Sequence, residues 1–221
     1  MSYQFDFAEV FANLDLLLAG LRWTALLWLT AFAFGMAVGL PVGLARTSML
    51  RAVQLPASAY VEIFRNTPVL VQVLWFYYAL PTLTGLQIPT FIAASAGLCL
   101  NTSAYCAEIY RAGLQSTGRG QYEAGRAIGM SGATLLRRII LPQAVGRMLP
   151  AFTNRAIELG KMTAIASVVT LPELMYEARI LTSNTYRPLE VFTVVALIYF
   201  VAIYPVTLFS YWLEARRRKA V

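Results

Sequence analysis

The sequence predicts an all-α membrane protein with five transmembrane helices, the N-terminus outside and the C-terminus cytoplasmic. Three observations carry that expectation. Hydrophobic residues fill 58% of the 221 positions and charged ones only 13%, which leaves too few polar side chains to cover a soluble surface. Uncharged stretches recur that are long enough to cross a bilayer, for which about 20 apolar helical residues suffice. The basic residues are also unevenly placed. Arg46, Arg51, Arg111, Arg119, Arg126, Arg137, Arg138, Arg147, Arg216, Arg217, Arg218 and Lys219 make up 12 of the 18, and all fall on one side of a five-span arrangement. Arg22, Arg179 and Arg187 fall on the other. Loops rich in Lys and Arg stay in the cytoplasm, so the net charge of +7 reports topology and does not call for a nucleic-acid partner.

The elements follow in order. Residues 1–20 place Asp6, Glu9 and Asp15 among Phe5, Phe7, Val10, Phe11, Leu14, Leu17 and Leu18, an amphipathic pattern expected to lie on the outer membrane surface. No small-residue cleavage pattern follows, so the first apolar run reads as a retained span and not as a signal peptide. Trp23 to Ala45 is free of charge and sets the first span at residues 21–45. Gly35, Gly39 and Gly43 recur at every fourth position there, a ridge suited to close helix packing. Asn66 to Ala107 is also uncharged but too long for one crossing. The Pro81–Pro89 stretch breaks it into spans at 57–80 and 90–113. A cytoplasmic loop at 114–146 leads to a fourth span at 149–174, and a fifth at 191–213 ends against the Arg-rich tail. The chain reads as one domain, residues 1–221, without repeats.

Several chemistries are excluded outright. The sequence has no His, which removes Ser-His-Asp triads, His metal sites and imidazole relays. No metal site is expected. Cys99 and Cys106 lie seven apart on one helix, too far for a disulfide within it, and read as packing residues. No G-x-x-x-x-G-K-S/T phosphate-binding loop occurs, so the chain is expected to hydrolyse no nucleotide and to be no enzyme.

The central loop carries the most specific pattern. Glu123-Ala124-Gly125 is followed after three residues by Gly129, after nine more by Ile139, and then by Leu141-Pro142. This reads as two short helices broken at Gly129–Gly132, with Gly tolerating the bend and Ser131 capping the second helix. Ala124, Ala127 and Ile128 give the first helix a small-residue face. Leu135, Leu136, Ile139 and Ile140 give the second an apolar stripe. A basic loop packed on the lipid surface would carry much of the same pattern. The spacing, however, resembles the EAA loop of ABC importer permeases, departing from it only at Gly125, where that family has Ala. The resemblance implies a type I ABC importer permease fold in the bacterial cytoplasmic (inner) membrane. It implies that Glu123, Ala124, Gly125, Gly129, Ile139, Leu141 and Pro142 couple the chain to an ATPase subunit.

Charges inside the spans need a reason, because each costs about 2.5–3.5 kcal/mol near the bilayer centre on insertion scales. In the second span, Glu62 and Arg65 stand three apart and can pair along the helix. Asn66 and Thr67 precede Pro68, which is expected to kink the helix. Asn101, Tyr105 and Glu108 lie at helical angles of about 0, 40 and −20 degrees, a narrow polar face flanked by Thr102 and Ser103. Arg155, Glu158 and Lys161 lie within about 120 degrees of one another, with Asn154 and Thr163 near, and leave one positive charge uncancelled. Ion pairing and interhelix hydrogen bonding would account for some of these groups without any ligand.

FRNTPVLVQ, which includes Gln72, resembles the second-span motif of polar amino-acid permeases. NTSAYCAEIYRAGLQS and KMTAIASVV resemble parts of the same family's third and fourth spans. Met162 stands where many members have Asp or Asn. The resemblance implies a substrate site drawn from Glu62, Arg65, Asn66, Thr67, Gln72, Asn101, Thr102, Tyr105, Glu108, Arg155, Glu158, Lys161 and Thr163. It implies a permease subunit of an ATP-driven importer for polar amino acids of the glutamate, aspartate or glutamine type. Basic or other polar amino acids are the alternative substrates. Its partners would be a cytoplasmic pair of ATP-binding subunits, a second permease protomer (identical or a sister subunit), an extracytoplasmic amino-acid-binding protein and membrane lipid. No cofactor would bind this chain, since ATP and Mg belong to the ATPase partner. A secondary transporter would need inverted repeats with matching broken helices, which five unequal spans do not supply. A membrane scaffold without transport is the remaining alternative.

Overall fold

In the computed structural model, which describes residues 3–218, every regular element is helical. Lys219, the last residue of the basic tail, lies outside them. Helix α1 (Ala8–Ala12) is a single turn and a half, and α2 (Leu14–Ala45) is the first long helix. The expected surface helix over residues 1–20 is therefore shorter than the pattern suggested. Leu17 and Gly20 are buried on α2, because a Cβ at Gly20 would lie 2.9 Å from the Leu174 Cα. The acidic pattern marks only one flank of a helix whose other flank is already in the core.

Helix α3 (Arg51–Asn66) ends at Thr67, whose backbone is extended (φ −100°, ψ 132°). A residue before proline is driven to that region. Helix α4 starts at Val69–Leu74, passes through a π-helical stretch at Trp75–Ala79, and ends at Leu80–Thr84. Helix α5 (Thr90–Gln115) is the centre of the bundle. The glycine ridge of α2 lies against it: Cβ atoms at Gly35 and Gly39 would fall 2.5 Å from Thr102 Cγ2 and 2.6 Å from Cys106 Cβ. The ridge therefore packs as its spacing predicts. Both cysteines are buried and unbonded.

Helix α6 (Arg119–Ala127) follows. Helix α7 then begins at Gly132–Leu135, widens to a π-helical stretch at Leu136–Ile140, and runs on as Leu141–Met162. The second loop helix is thus continuous with the fourth expected span, and no boundary falls at residue 146. That span does not reach residue 174 as one helix either. It tightens into a 3₁₀ helix at Thr163–Val169, turns at Thr170 (φ 58°), and gives way to α8 (Leu174–Thr185). Helix α9 (Pro188–Arg218) closes the chain. Among the described residues, Leu14–Ala45 and Pro188–Leu213 are each long and apolar enough to cross a membrane by length and composition.

Candidate functional site

The site is built on the break in the second apolar segment. Pro68 has no N–H, so the Phe64 carbonyl four residues earlier loses its helical partner. Two side chains replace it. Gln72 Nε2 donates to the Phe64 carbonyl at 2.9 Å and also to the Thr67 carbonyl at 2.9 Å, while Asn101 Nδ2 donates to Phe64 at 2.7 Å. Gln72 is therefore buried as a cap of the broken helix and does not face the open cleft.

Asn101 extends the network across to α7. Its Oδ1 accepts from Arg155 Nη2 at 2.8 Å, and Thr102 Oγ1 accepts from the same nitrogen at 3.1 Å. Arg155 Nη1 reaches Glu158 at 3.2 Å. The guanidinium lies 4.2 Å from the centre of the Tyr105 ring, and Arg65 lies 5.1 Å from the same ring. Only 4% of the Arg155 side chain is exposed, and its Nε has no partner. Cation–aromatic contact and three side-chain acceptors thus fix an otherwise costly buried charge.

These groups open onto a cleft of about 560 Å³, lined by Arg65, Asn66, Thr67, Asn101, Tyr105 and Arg155, with Glu158 and Lys161 on its rim. Three cations there face a single carboxylate. Lys161 makes no ion pair among the described residues, and Glu158 is 64% exposed. Eight of the thirteen residues named from the sequence meet in this cleft. The other five do not line it. Gln72 and Thr102 support it from behind, as above. Thr163 is buried and donates to the Gly160 carbonyl.

Glu62 and Glu108 are placed differently from expectation. Glu62 does not pair with Arg65. It lies 3.5 Å from Arg46 and accepts from Asn66 at 2.9 Å, because Arg65 turns toward α5 and Tyr105. Glu108 is engaged by Arg46 at 2.5 Å, by Arg111, and by Arg65 at 4.0 Å. It lines a second cavity of about 340 Å³ that also includes Arg65, Tyr105 and Arg147. Arg65 and Tyr105 therefore stand between the two cavities. Sequence reasoning assigned Arg46 to topology alone, and no local spacing links it to Glu108, 62 residues away. It also passed over Glu173, which is fully buried. Glu173 caps α8 through the Tyr176 N–H at 2.8 Å and accepts from Tyr199 at 2.9 Å and Thr24 at 3.3 Å. A charge inside an otherwise apolar segment was the available signal.

The loop carrying Glu123 has a defined end. Gly129 has φ +77°, Gly129 N–H donates to Arg126, and Met130 N–H reaches back to Gly125, the paired bonds of a left-handed helix cap. Ser131 caps the next helix through the Thr134 N–H, as its position predicts. The space around Gly129 is open, so its backbone angle and not crowding calls for glycine. Glu123, Ala124 and Ile128 are exposed, Gly125 is buried under Leu135, and Ile139 is half-buried before the exposed Leu141 and Pro142.

The structure thus presents a helical bundle with a broken helix lining a charged cleft and an ordered loop helix beside it, and comparison with known proteins gives its class. The family model for "binding-protein-dependent transport system inner membrane component" matches residues 16–219, and the chain belongs to that family. It is the permease subunit of an ABC importer, as the resemblance of Glu123–Pro142 to the EAA loop implied. It is 39% identical over 217 residues to the octopine transport system permease protein OccM of Rhizobium meliloti, covering 92% of this chain and 89% of that one. It is 35% identical over 211 residues to the probable glutamine ABC transporter permease protein GlnM of Bacillus subtilis, covering 96% and 97%. Among solved structures, an amino acid ABC transporter with histidines matches with a TM-score of 0.91 and 38% identity over 97% of this chain and 100% of that one. The MetNI methionine ABC transporter in an inward-facing form shares the fold at a TM-score of 0.73, with 92% and 97% covered.

Proposed function

We propose that this chain carries polar amino acids with a carboxylate or carboxamide side chain, of the glutamate, aspartate or glutamine type, through the cleft beside Pro68. The observation that carries this reading is the meeting of Arg65, Arg155 and Lys161 with one carboxylate, Glu158, in that cleft. An amino acid brings an α-carboxylate and an α-ammonium, and each must meet opposite charge or dense hydrogen bonding once water is removed. Arg155 or Lys161 meets the carboxylate, and Glu158 the ammonium. The surplus positive charge suits a second carboxylate or its amide. Relatives named for glutamine, arginine and octopine transport support an amino-acid substrate, and basic amino acids are the second reading.

The arrangement we propose has five spans, with the chain entering from outside and its Arg-rich end in the cytoplasm. The α6 helix and its Gly129 turn dock into a cytoplasmic ATPase subunit, which alone uses ATP and Mg. A second permease protomer closes the cleft, since Glu158 and Lys161 remain open in a single chain. An extracytoplasmic binding protein delivers the substrate. Closure of the ATPase pair would push on Glu123–Pro142 and, through the continuous α7, on Arg155 and Glu158.

The test is amino-acid-stimulated ATPase activity and transport by the reconstituted complex, screened across amino acids, for wild type, Glu158→Gln and Lys161→Met. A site role predicts lost or altered substrate response at unchanged thermal stability. Wild-type transport of the same amino acids by both variants would remove the site from this cleft.

A further inference from the structure

A separate cavity of about 750 Å³ lies at the other face of the bundle, between the end of α2, the end of α5 and the start of α7. Its walls are mainly apolar, with Leu40 and Leu44 from α2, Leu114 from α5, and Leu136, Leu141 and Val145 from α7, and carry Thr47 and Gln115 as polar lining. Leu44 and Val145 are 48% and 46% exposed, so the groove opens to the surface at these residues. Tyr122 of α6 stands at its edge. One polar group is left over inside it. Thr117 is only 5% exposed, lines the groove, and its Oγ1 has no hydrogen-bond partner. A buried hydroxyl without a partner is destabilising, which a ligand acceptor would offset. Next to Leu136, Arg137 and Arg138 are both exposed and form no ion pair among the described residues.

We infer that this groove holds an acyl chain of an anionic phospholipid from the cytoplasmic leaflet. The hydrocarbon fills the apolar walls, a turn of the Thr117 side chain brings its hydroxyl to an ester carbonyl, and Arg137 and Arg138, which follow the wall residue Leu136 and lie outside the cavity lining, supply positive charge for the phosphate. The assignment rests on the topology proposed above for the choice of leaflet. Seated between α2, α5, α6 and α7, the lipid braces the coupling helix against the bundle, so its occupancy tunes how ATP hydrolysis is transmitted.

The test uses the intact complex, delipidated and re-exposed to phosphatidylglycerol or phosphatidylcholine, with retained lipid counted by native mass spectrometry. Wild type is expected to retain one phosphatidylglycerol per chain and at least tenfold less phosphatidylcholine. Val145→Trp, which fills the groove, is expected to lose that retention at least tenfold. Thr117→Val, a mild change that preserves folding, is expected to weaken it several-fold. Equal retention by wild type and both variants, or no preference for phosphatidylglycerol, overturns the assignment. So does a disulfide between two copies of a Leu44→Cys chain, which would make a second protomer the occupant. A reporter fused after Lys219 tests the topology by itself: an external score refutes the leaflet without touching the retention result.

Discussion

The broken helix at Pro68 is held by two side chains that share one acceptor, and that sharing makes a quantitative prediction. Asn101→Leu removes a neutral hydrogen bond to the Phe64 carbonyl and a charge-assisted one from Arg155. Such bonds are worth about 0.5–1.5 and 1.5–3 kcal/mol in soluble proteins. Neither partner is orphaned, however. Phe64 keeps Gln72 at 2.9 Å and Arg155 keeps Thr102 at 3.1 Å. Interhelix hydrogen bonds in membranes average about 0.6 kcal/mol with a maximum near 1.7, so the single change should cost about 1–2 kcal/mol. Gln72→Leu alone should cost a similar amount. The double variant leaves the Phe64 carbonyl bare in an apolar interior, which adds about 1–3 kcal/mol beyond the sum. Thermal unfolding of the purified chain measures the cycle, with about 2–4 °C expected per kcal/mol. If the two changes add within about 0.5 kcal/mol, the side chains do not share the carbonyl and the account of the break fails.

Three further outcomes follow from the same geometry. Gly39→Ala places a Cβ 2.6 Å from Cys106 Cβ and 2.9 Å from the Ala107 N. It should therefore destabilise the α2–α5 pair by about 1–3 kcal/mol, and an unchanged melting temperature would contradict the close packing. Gly129→Val forces a branched residue to φ +77°, at about 1–2 kcal/mol or more. It should insert normally yet stimulate ATP hydrolysis poorly, and wild-type transport would remove its coupling role. Glu173→Leu leaves the Tyr199 hydroxyl and the Tyr176 N–H without their acceptor. It should lower stability by about 2–4 kcal/mol, with most recovered in Glu173→Gln; equal loss in both would deny the hydrogen-bonding role.

Much of this was legible in the sequence because its signals are local. The Gly35–Gly39–Gly43 ridge, the Pro68 break, the Ser131 cap and the Gly129 turn each depend on a few neighbouring residues. Each is found where local rules place it. The Asn101, Tyr105, Arg155, Glu158 and Lys161 set was legible for a related reason, since charge in an apolar segment is costly wherever it occurs. What escaped was pairing over long sequence distance. Glu62 and Arg65 satisfied the i, i+3 rule, yet Arg46 and Tyr105 outcompeted it, and nothing local could rank those partners. Boundaries failed for another reason. Residues 141–148 look loop-like by Pro142, Gly146 and Arg147, but a helix already committed at Gly132 continues through them, since each added residue gains a backbone bond without a new nucleus.

That continuity constrains how force can pass from the coupling loop to the cleft. A flexible joint near residue 146 would let α6 move without disturbing Arg155. Instead, Ser131 caps a helix that runs to Met162, so a displacement at Ile139 is carried along the helix toward Arg155 and Glu158. Compliance is confined to two points, one at the start of α7 and one outside it. The π-helical stretch at Leu136–Ile140 can absorb a shift in register, and the extended Thr67–Pro68 link faces Arg155 across the cleft. On this geometry the moving part is the pairing of the regular Leu141–Met162 portion of α7 with a broken second segment, and Asn101, bonded to both, is the group that reports their separation. Stiffening the π-helical stretch by deleting one of its residues should therefore uncouple ATP hydrolysis from transport while leaving substrate binding intact. Coupling that survives the deletion would place the joint in another part of the chain.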